Sequence, residues 1–362
     1  MVVPKPNYVW YVYPELKHVS FSSIGEWHYQ LLKKYFRVEP IDELAFPTIA
    51  PIGYPLVLMQ PYFYVMGKVG KKIARKIDRY RGIIGVDVAD SDHLSSFAVN
   101  LANYAKALIV PSNFSRNTYI NSGVKVDVHV IPHGVEKEWI EAPPQSPQLF
   151  THLAKLKQER GYKLLLSYQT HSPFRKGLDL LLRFYQTLIK EYNNVLLVVK
   201  TAQGVGYFPE TVENVGGVLE HHMDGKVIIK WLNEREKMEL FDLVDLYVLS
   251  SRGGAFEHPA LEALTRGLPV IGAKGGAWED YLPEWALIPS RKSEQVLPNN
   301  PVHDGCGVEM LLDKAVDRAC EILNNLEEYK AKVREYVTHV IKPNFTWYKI
   351  GERLKAVVER YL

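Results

Sequence analysis

A chain of 362 residues exceeds what one hydrophobic core usually serves, so two domains are expected. With 47% apolar and 23% charged residues it has the profile of an ordinary globular protein, and a net charge of +3 is too small to imply a nucleic-acid partner. Cys306 and Cys320 lack metal-ligand spacing and cannot build a disulfide framework.

The N-terminal segment is rich in proline and lacks the charged-then-apolar order of a signal peptide. No stretch approaches the roughly 20 apolar residues that span a bilayer, so a cytoplasmic location is expected. Tyr8–Tyr13 is an aromatic and β-branched run that reads as a first strand. A serine-bearing loop over 14–25 and a helix over 26–36 follow. Short apolar runs recur at 56–60, 82–88, 107–111 and 126–132, with helical patterns between most of them. That alternation predicts a mainly parallel, doubly wound sheet, whose ligands sit at the carboxyl ends of the strands. Residues 20–25, 87–93 and 112–115 occupy such ends.

Residues 87–93 read DVADSDH. Asp90 and Asp92 form a carboxylate pair able to hold a divalent cation through oxygen. Asp92 or Ser91 serves equally well as the cap of a helix carrying Leu94, Phe97 and Leu101. His93 at the strand mouth is either structural, a sugar contact, or an acid or base. Residues 68–81 (KVGKKIARKIDRYR) pattern as a basic amphipathic helix with Val69, Ile73, Ile77 and Tyr80 on one face. It either packs that stripe on the core or touches an anionic membrane surface peripherally. Ser112 is a plausible helix cap, and Pro143, Pro144 and Pro147 mark a linker, which places the domain boundary at 145.

In the second half, a strand over Lys163–Tyr168 leads through a loop to a periodic helix over 177–191, with Lys176 where that helix begins. Strands are predicted at Val195–Lys200 and 227–229, a helix over Glu234–Leu243, and a long helical stretch from 307 to 340. Pro343 breaks it before a last amphipathic helix over 347–361. Between these lies 245–280, DLYVLSSRGGAFEHPALEALTRGLPVIGAKGGAWED. It reads as strand, glycine loop, short helix with Pro259 in its first turn, strand and second glycine loop. Such a loop aims backbone N–H groups and a positive helix end at one spot, which suits a phosphate; a plain βαβ unit reads the same way.

Several segments in order resemble one family. ALIVPSNFSRNTYINSG and VIPHGVE look like the end of its N-terminal domain. RKGLDLLL resembles a helix start, PALEALTRGLPVIG with GGAWED its diagnostic signature, and NFTWYKIGERL its last helix. The chain is similar to the retaining glycosyltransferases of family 4, the group 1 type with the GT-B fold. The resemblance implies two Rossmann-like α/β domains facing each other across a cleft: 1–145 for the acceptor, 146–342 for the nucleotide sugar, and 343–362 crossing back to the first. It implies a donor such as a UDP- or GDP-sugar, an acceptor that is a carbohydrate, a lipid-linked group or a protein, no nucleic acid, and no metal required for catalysis.

By the same resemblance Glu262 holds the nucleotide ribose and Lys176 the diphosphate, with Arg252, Gly253, Gly254, Phe256, Pro259 and Leu261 lining the donor. Two departures stand out. The family's sugar-contacting glutamate falls eight positions before Glu262, where this chain has Gly254, so Glu257 is the nearest substitute. Its arginine falls at Thr170, leaving Arg175 or Arg252 to supply the second positive charge. A metal-dependent GT-A transferase, a GT-B sugar-nucleotide epimerase and an inactive sugar-nucleotide-binding protein are the competing readings.

Overall fold

The structure is a computed structural model that describes residues 8–17, 19–169, 172–201, 226–228 and 232–362. It divides into two compact units, one of residues 1–134, 299–305 and 345–362, the other of 135–298 and 306–344.

The first unit is built on a six-stranded parallel sheet of order β2-β1-β3-β4-β5-β6. Its elements run β1 (Tyr8–Tyr13), α1 (Ser20–Leu32), β2 (Arg37–Asp42), β3 (Leu56–Met59), α2 (Tyr62–Ala74), β4 (Gly82–Val86), α3 (Ser96–Ala102), β5 (Ala107–Val110), α4 (Asn113–Asn121) and β6 (Asp127–Val130). Every residue of β1 is buried, because helices cover both faces of the sheet. Val9, Tyr11 and Tyr13 face a core shared with α1 and the C-terminal helix Trp347–Glu359; Tyr8, Trp10 and Val12 face the core shared with α2 and α3. That last helix buries Ile350, Leu354, Val357 and Val358 at helical spacing, and Trp347 stacks on Trp27 at 5.1 Å.

The second unit carries a parallel sheet of order β12-β11-β10-β7-β8-β9. In chain order come α5 (Lys137–Glu141), α6 (Thr151–Arg160), β7 (Lys163–Tyr168), α7 (Pro173–Lys176), α8 (Leu178–Glu191), β8 (Val195–Lys200) and β9 (Lys226–Ile228). They are followed by α9 (Glu234–Leu243), β10 (Leu246–Leu249), α10 (His258–Thr265), β11 (Val270–Ala273), β12 (Leu287–Ile288), β13 (Ser290–Gln295), β14 (Cys306–Met310), α11 (Leu312–Asn324) and α12 (Leu326–Tyr336). The chain leaves β7 toward β8 in one direction and toward β10 in the other. The carboxyl ends of β7 and β10 therefore form a topological switch point, the place where such sheets bind ligands.

Several local expectations differ from what forms. Ser20–Gly25 opens α1 instead of forming a loop, and the helix stops at Leu32. The basic segment 68–81 is the tail of α2 followed by a short 3-10 turn at Ile77–Arg79, which leaves Ile77 40% exposed and off the buried stripe. Ser95, not Ser91 or Asp92, caps α3 by accepting the Ala98 N–H at 3.2 Å. Residues 306–310 are a strand rather than the start of a helix, because they pair antiparallel with β13. The chain passes between units after Gly134, ahead of 145. Trp139 on α5 packs edge-on against Phe241, and its indole N–H donates to Glu234, which ties this stretch to the second unit.

Candidate active site

Lys176 closes the four-residue helix α7, which Ser172 caps and Pro173 begins. Gly177, at φ 68°, then turns the chain into α8; a side chain there would strike the Ser250 carbonyl. Lys176 thus sits one helix earlier than the periodicity suggested. Gln169, at the end of β7, holds its backbone. The amide donates to Ser250 Oγ at 2.9 Å and to the Lys176 carbonyl at 3.3 Å, and Ser250 Oγ donates to the same carbonyl at 2.9 Å. The ammonium reaches both carboxylate oxygens of Glu257 at 2.7 Å, with the two side chains only 12% and 5% exposed.

Glu257 is held in a left-handed conformation, φ 63° and ψ 64°, just ahead of α10. For a non-glycine residue this costs on the order of 1–2 kcal/mol, so the surrounding structure must over-determine it. Part of that support is Tyr281, whose hydroxyl lies 2.7 Å from the Phe256 carbonyl and 2.8 Å from that of Glu257. The twist folds the glutamate back over Gly254: a Cβ on Gly254 would collide with Glu257 Oε1. Glycine at 254 leaves room for the Glu257 carboxylate.

Arg252 and Arg175 divide differently from the sequence expectation. Arg252, 2% exposed, bonds Asp179 at 2.6 and 2.7 Å, Glu309 at 2.6 Å and the Phe174 carbonyl at 2.8 Å, and its guanidinium lies 4.1 Å from the Phe174 ring. The fork is largely taken up by these partners and ties α8 and β14 to the glycine loop. Arg175, beside Lys176 on α7, is buried and donates to the Gly253 carbonyl at 3.0 Å. The Leu261 side chain is fully buried, which leaves it a core residue rather than part of a lining. Phe256 packs 5.0 Å from Tyr281, under the loop, and Pro259 stands in the first turn of α10. Thr170 lies outside the described residues.

Glu262 projects from α10 into a charged cluster that sequence reading did not find. Lys237 of α9 reaches it at 2.8 Å, and His258 stands 3.4 Å away. Burial alone would raise the Glu262 pKa, but Lys237 and His258 outweigh it and hold the carboxyl below its usual range. Lys237 also pairs with Glu234 at 3.0 Å and lies 5.2 Å from the Trp139 ring. The only sequence signal for it was the capping box Asn233–Glu236 that starts α9; nothing local says the lysine meets a glutamate 25 positions on.

His93 belongs to the first unit. Its Nδ1 is 2.7 Å from Asp304 Oδ1, on the 299–305 segment, and the ring is 54% exposed. That segment is sewn on by Ser95 N to Val302 O at 3.0 Å, Ser95 Oγ to Pro301 O at 2.6 Å and Gly305 N to Ser91 Oγ at 3.2 Å. A carboxylate partner fixes the orientation of an accessible imidazole, the arrangement of a positioned acid, base or hydrogen-bond donor. In the second glycine loop the Gly275 N–H donates to Glu279 at 2.6 Å.

Comparison with known proteins concerns the family and the fold. The glycosyl transferases group 1 family matches residues 150–296, which hold Lys176, Glu257 and Glu262. Uncharacterized protein 356 of Sulfolobus islandicus rod-shaped virus 1 is 33% identical over 98% of this chain and 98% of its own. Alpha-monoglucosyldiacylglycerol synthase of Streptococcus pneumoniae is 28% identical over 45% of this chain and 36% of its own. Anabaena HepE in complex with UDP-glucose superposes with a TM-score of 0.68 at 15% identity, covering 98% of this chain and 99% of that one. At that identity the likeness speaks of the fold: two parallel-sheet α/β domains of the GT-B kind.

Proposed function

The chain belongs to the group 1 glycosyltransferases, and on that premise we propose that it moves a sugar from a nucleoside-diphosphate donor to an acceptor hydroxyl with retention of anomeric configuration, in the manner of family 4. The observation that carries the reading is the Lys176–Glu257 pair at the β7–β10 switch point, closed over Gly254. The UDP-glucose held by Anabaena HepE supports a nucleotide-sugar donor.

In this reading the anomeric C–O bond breaks and its electron pair stays on the departing diphosphate. Lys176, with Arg175 next to it, meets that charge as it develops; a preorganised donor of this kind contributes on the order of 10²–10³ in rate. The sugar passes through an oxocarbenium-like state. The acceptor oxygen forms the new bond on the face the diphosphate leaves, and its proton passes to a diphosphate oxygen, so no protein nucleophile is called for. Glu257 orients Lys176 until the donor arrives and then accepts sugar hydroxyls, the task Gly254 cannot perform. Glu262, ionised by Lys237 and His258, accepts the ribose hydroxyls. Charge on the leaving group is met by protein cations, so turnover is expected to survive a chelator.

The test is donor turnover and nucleotide binding in two variants. Lys176→Ala is expected to lower turnover about 10²–10³-fold with a smaller effect on nucleotide affinity. Glu262→Ala is expected to act mainly on affinity. Near-normal behaviour of both would overturn the site assignment. Bound donor that stays intact with every acceptor would mean a binding protein, and a changed nucleotide sugar formed without acceptor would mean an epimerase.

A further inference from the structure

Lys200 ends β8, a strand buried along its whole length, and is itself only 4% exposed. Its ammonium donates to the Thr201 carbonyl and lies 5.7 Å from the Tyr168 ring centroid, Tyr168 being its register partner at the end of β7. Among the described residues no carboxylate pairs with it. Burial first, and then the neighbouring charge of Lys237, bring its pKa down to about 8. A buried amine of this kind is costly to keep unless something takes its hydrogen bonds.

Around it stand polar atoms in the same condition. Tyr168 Oη and Thr201 Oγ1 are buried with no hydrogen-bond partner among the described residues, and Thr201 is fully buried. Native interiors rarely leave such groups unsatisfied, and a cluster of them at the carboxyl ends of two adjacent strands is the mark of a ligand position.

The order of the strands says which part of the ligand. Lys176 and Glu257 stand at the ends of β7 and β10, while β8 lies on the far side of β7, so its end is about two strand spacings, roughly 10 Å, from that of β10. Between them Tyr168 lies within the field of Glu262, and Lys200 within that of Lys237. Diphosphate, ribose and base would follow one another along this edge. We propose that Lys200, with the hydroxyls of Thr201 and Tyr168, reads the nucleobase by donating hydrogen bonds to ring carbonyl oxygens, so that the site takes a uridine or guanosine diphosphate and discriminates against adenosine diphosphate. An ammonium has only donors to offer. Uracil and guanine present exocyclic carbonyls, whereas adenine sets an amino group at the corresponding place. The inference rests on the donor site proposed above and adds its base preference.

Titration calorimetry of the full chain with UDP, GDP and ADP tests it. The wild-type protein is expected to bind UDP or GDP at least about tenfold more tightly than ADP, a modest share of what an unmatched buried polar site can impose. Lys200→Met is expected to bring the preferred nucleotide down to the ADP level, with ADP itself within about twofold of wild type. Thr201→Val, nearly isosteric, should erode the same preference by a few fold and answers the question if the lysine variant fails to fold. Equal binding of the three nucleotides, preference for ADP, or a preference that survives both substitutions would overturn the base assignment while leaving the donor site standing. Failure of the wild-type protein to bind any of the three would overturn the donor site itself.

Discussion

Replacing Lys237 by methionine removes one charge from the centre of the second unit and leaves Glu262 behind. Methionine keeps most of the stem that lies against Trp139, so the change is chiefly electrostatic. The N···O separation is 2.8 Å, and the Glu262 side chain is 5% exposed. At an effective dielectric of about 20 that separation corresponds to roughly 6 kcal/mol of gross attraction. Desolvation cancels part of it, and breaking a buried pair by deleting one partner costs about 3–5 kcal/mol. In the wild-type protein the Glu262 pKa is lowered on folding, so its contribution is present above the unfolded value, about 4.3, and is lost as pH falls through the folded value. In the variant His258 remains beside the carboxyl among the described residues, while Glu136 and Tyr168 lie within its field and bring no favourable charge. The folded pKa then rises above the unfolded one, and the penalty is full at high pH and shrinks on acidification. Urea unfolding of both proteins at pH 8 and pH 5 should show a gap of about 3–5 kcal/mol that falls by more than half at the lower pH. A gap below about 1 kcal/mol at pH 8, the size of an exposed pair, or one equal at both pH values, would refute the reasoning.

Gly254→Ala puts a methyl group where Glu257 Oε1 now lies, and the flexible end of that side chain must swing off Lys176. Turnover is expected to fall roughly 10²-fold with nucleotide affinity little changed, as steady-state and binding measurements would reveal; unchanged turnover would mean the carboxylate position is irrelevant. Arg252→Met removes the buried guanidinium while Asp179 keeps Arg183 and Glu309 keeps Arg291, so a stability loss of about 1.5–3 kcal/mol is expected in urea unfolding, with nucleotide affinity per folded molecule unaltered. A collapse of affinity at normal stability would instead make Arg252 a donor ligand.

The Lys176–Glu257 pair is where the backbone and the missing side chain of residue 254 meet. The backbone twist at Glu257 folds its carboxylate over Gly254, at the cost of a left-handed conformation that Tyr281 helps to hold. The Gln169–Ser250 network fixes the carbonyl of Lys176 against the ends of β7 and β10.

The sequence by itself determined what periodicity and local chemistry can encode. Alternating apolar runs specified two parallel α/β sheets, Pro259 opened the helix that bears Glu262, and Ser112 capped its helix as read. These are decided by hydrophobic period, by missing N–H groups and by allowed φ, all of which are written within a few residues. Tertiary structure decided the partners. That Arg252 binds Asp179 and Glu309, that Lys237 ionises Glu262, that Asp304 steadies His93 and that Lys200 ends among unsatisfied hydroxyls all depend on strand order, which joins residues far apart in the chain. So does the strand at 306–310, whose local pattern suited a helix until β13 offered it hydrogen bonds. Local propensity is worth tenths of a kcal/mol per residue, and a ladder or a buried ion pair outweighs it.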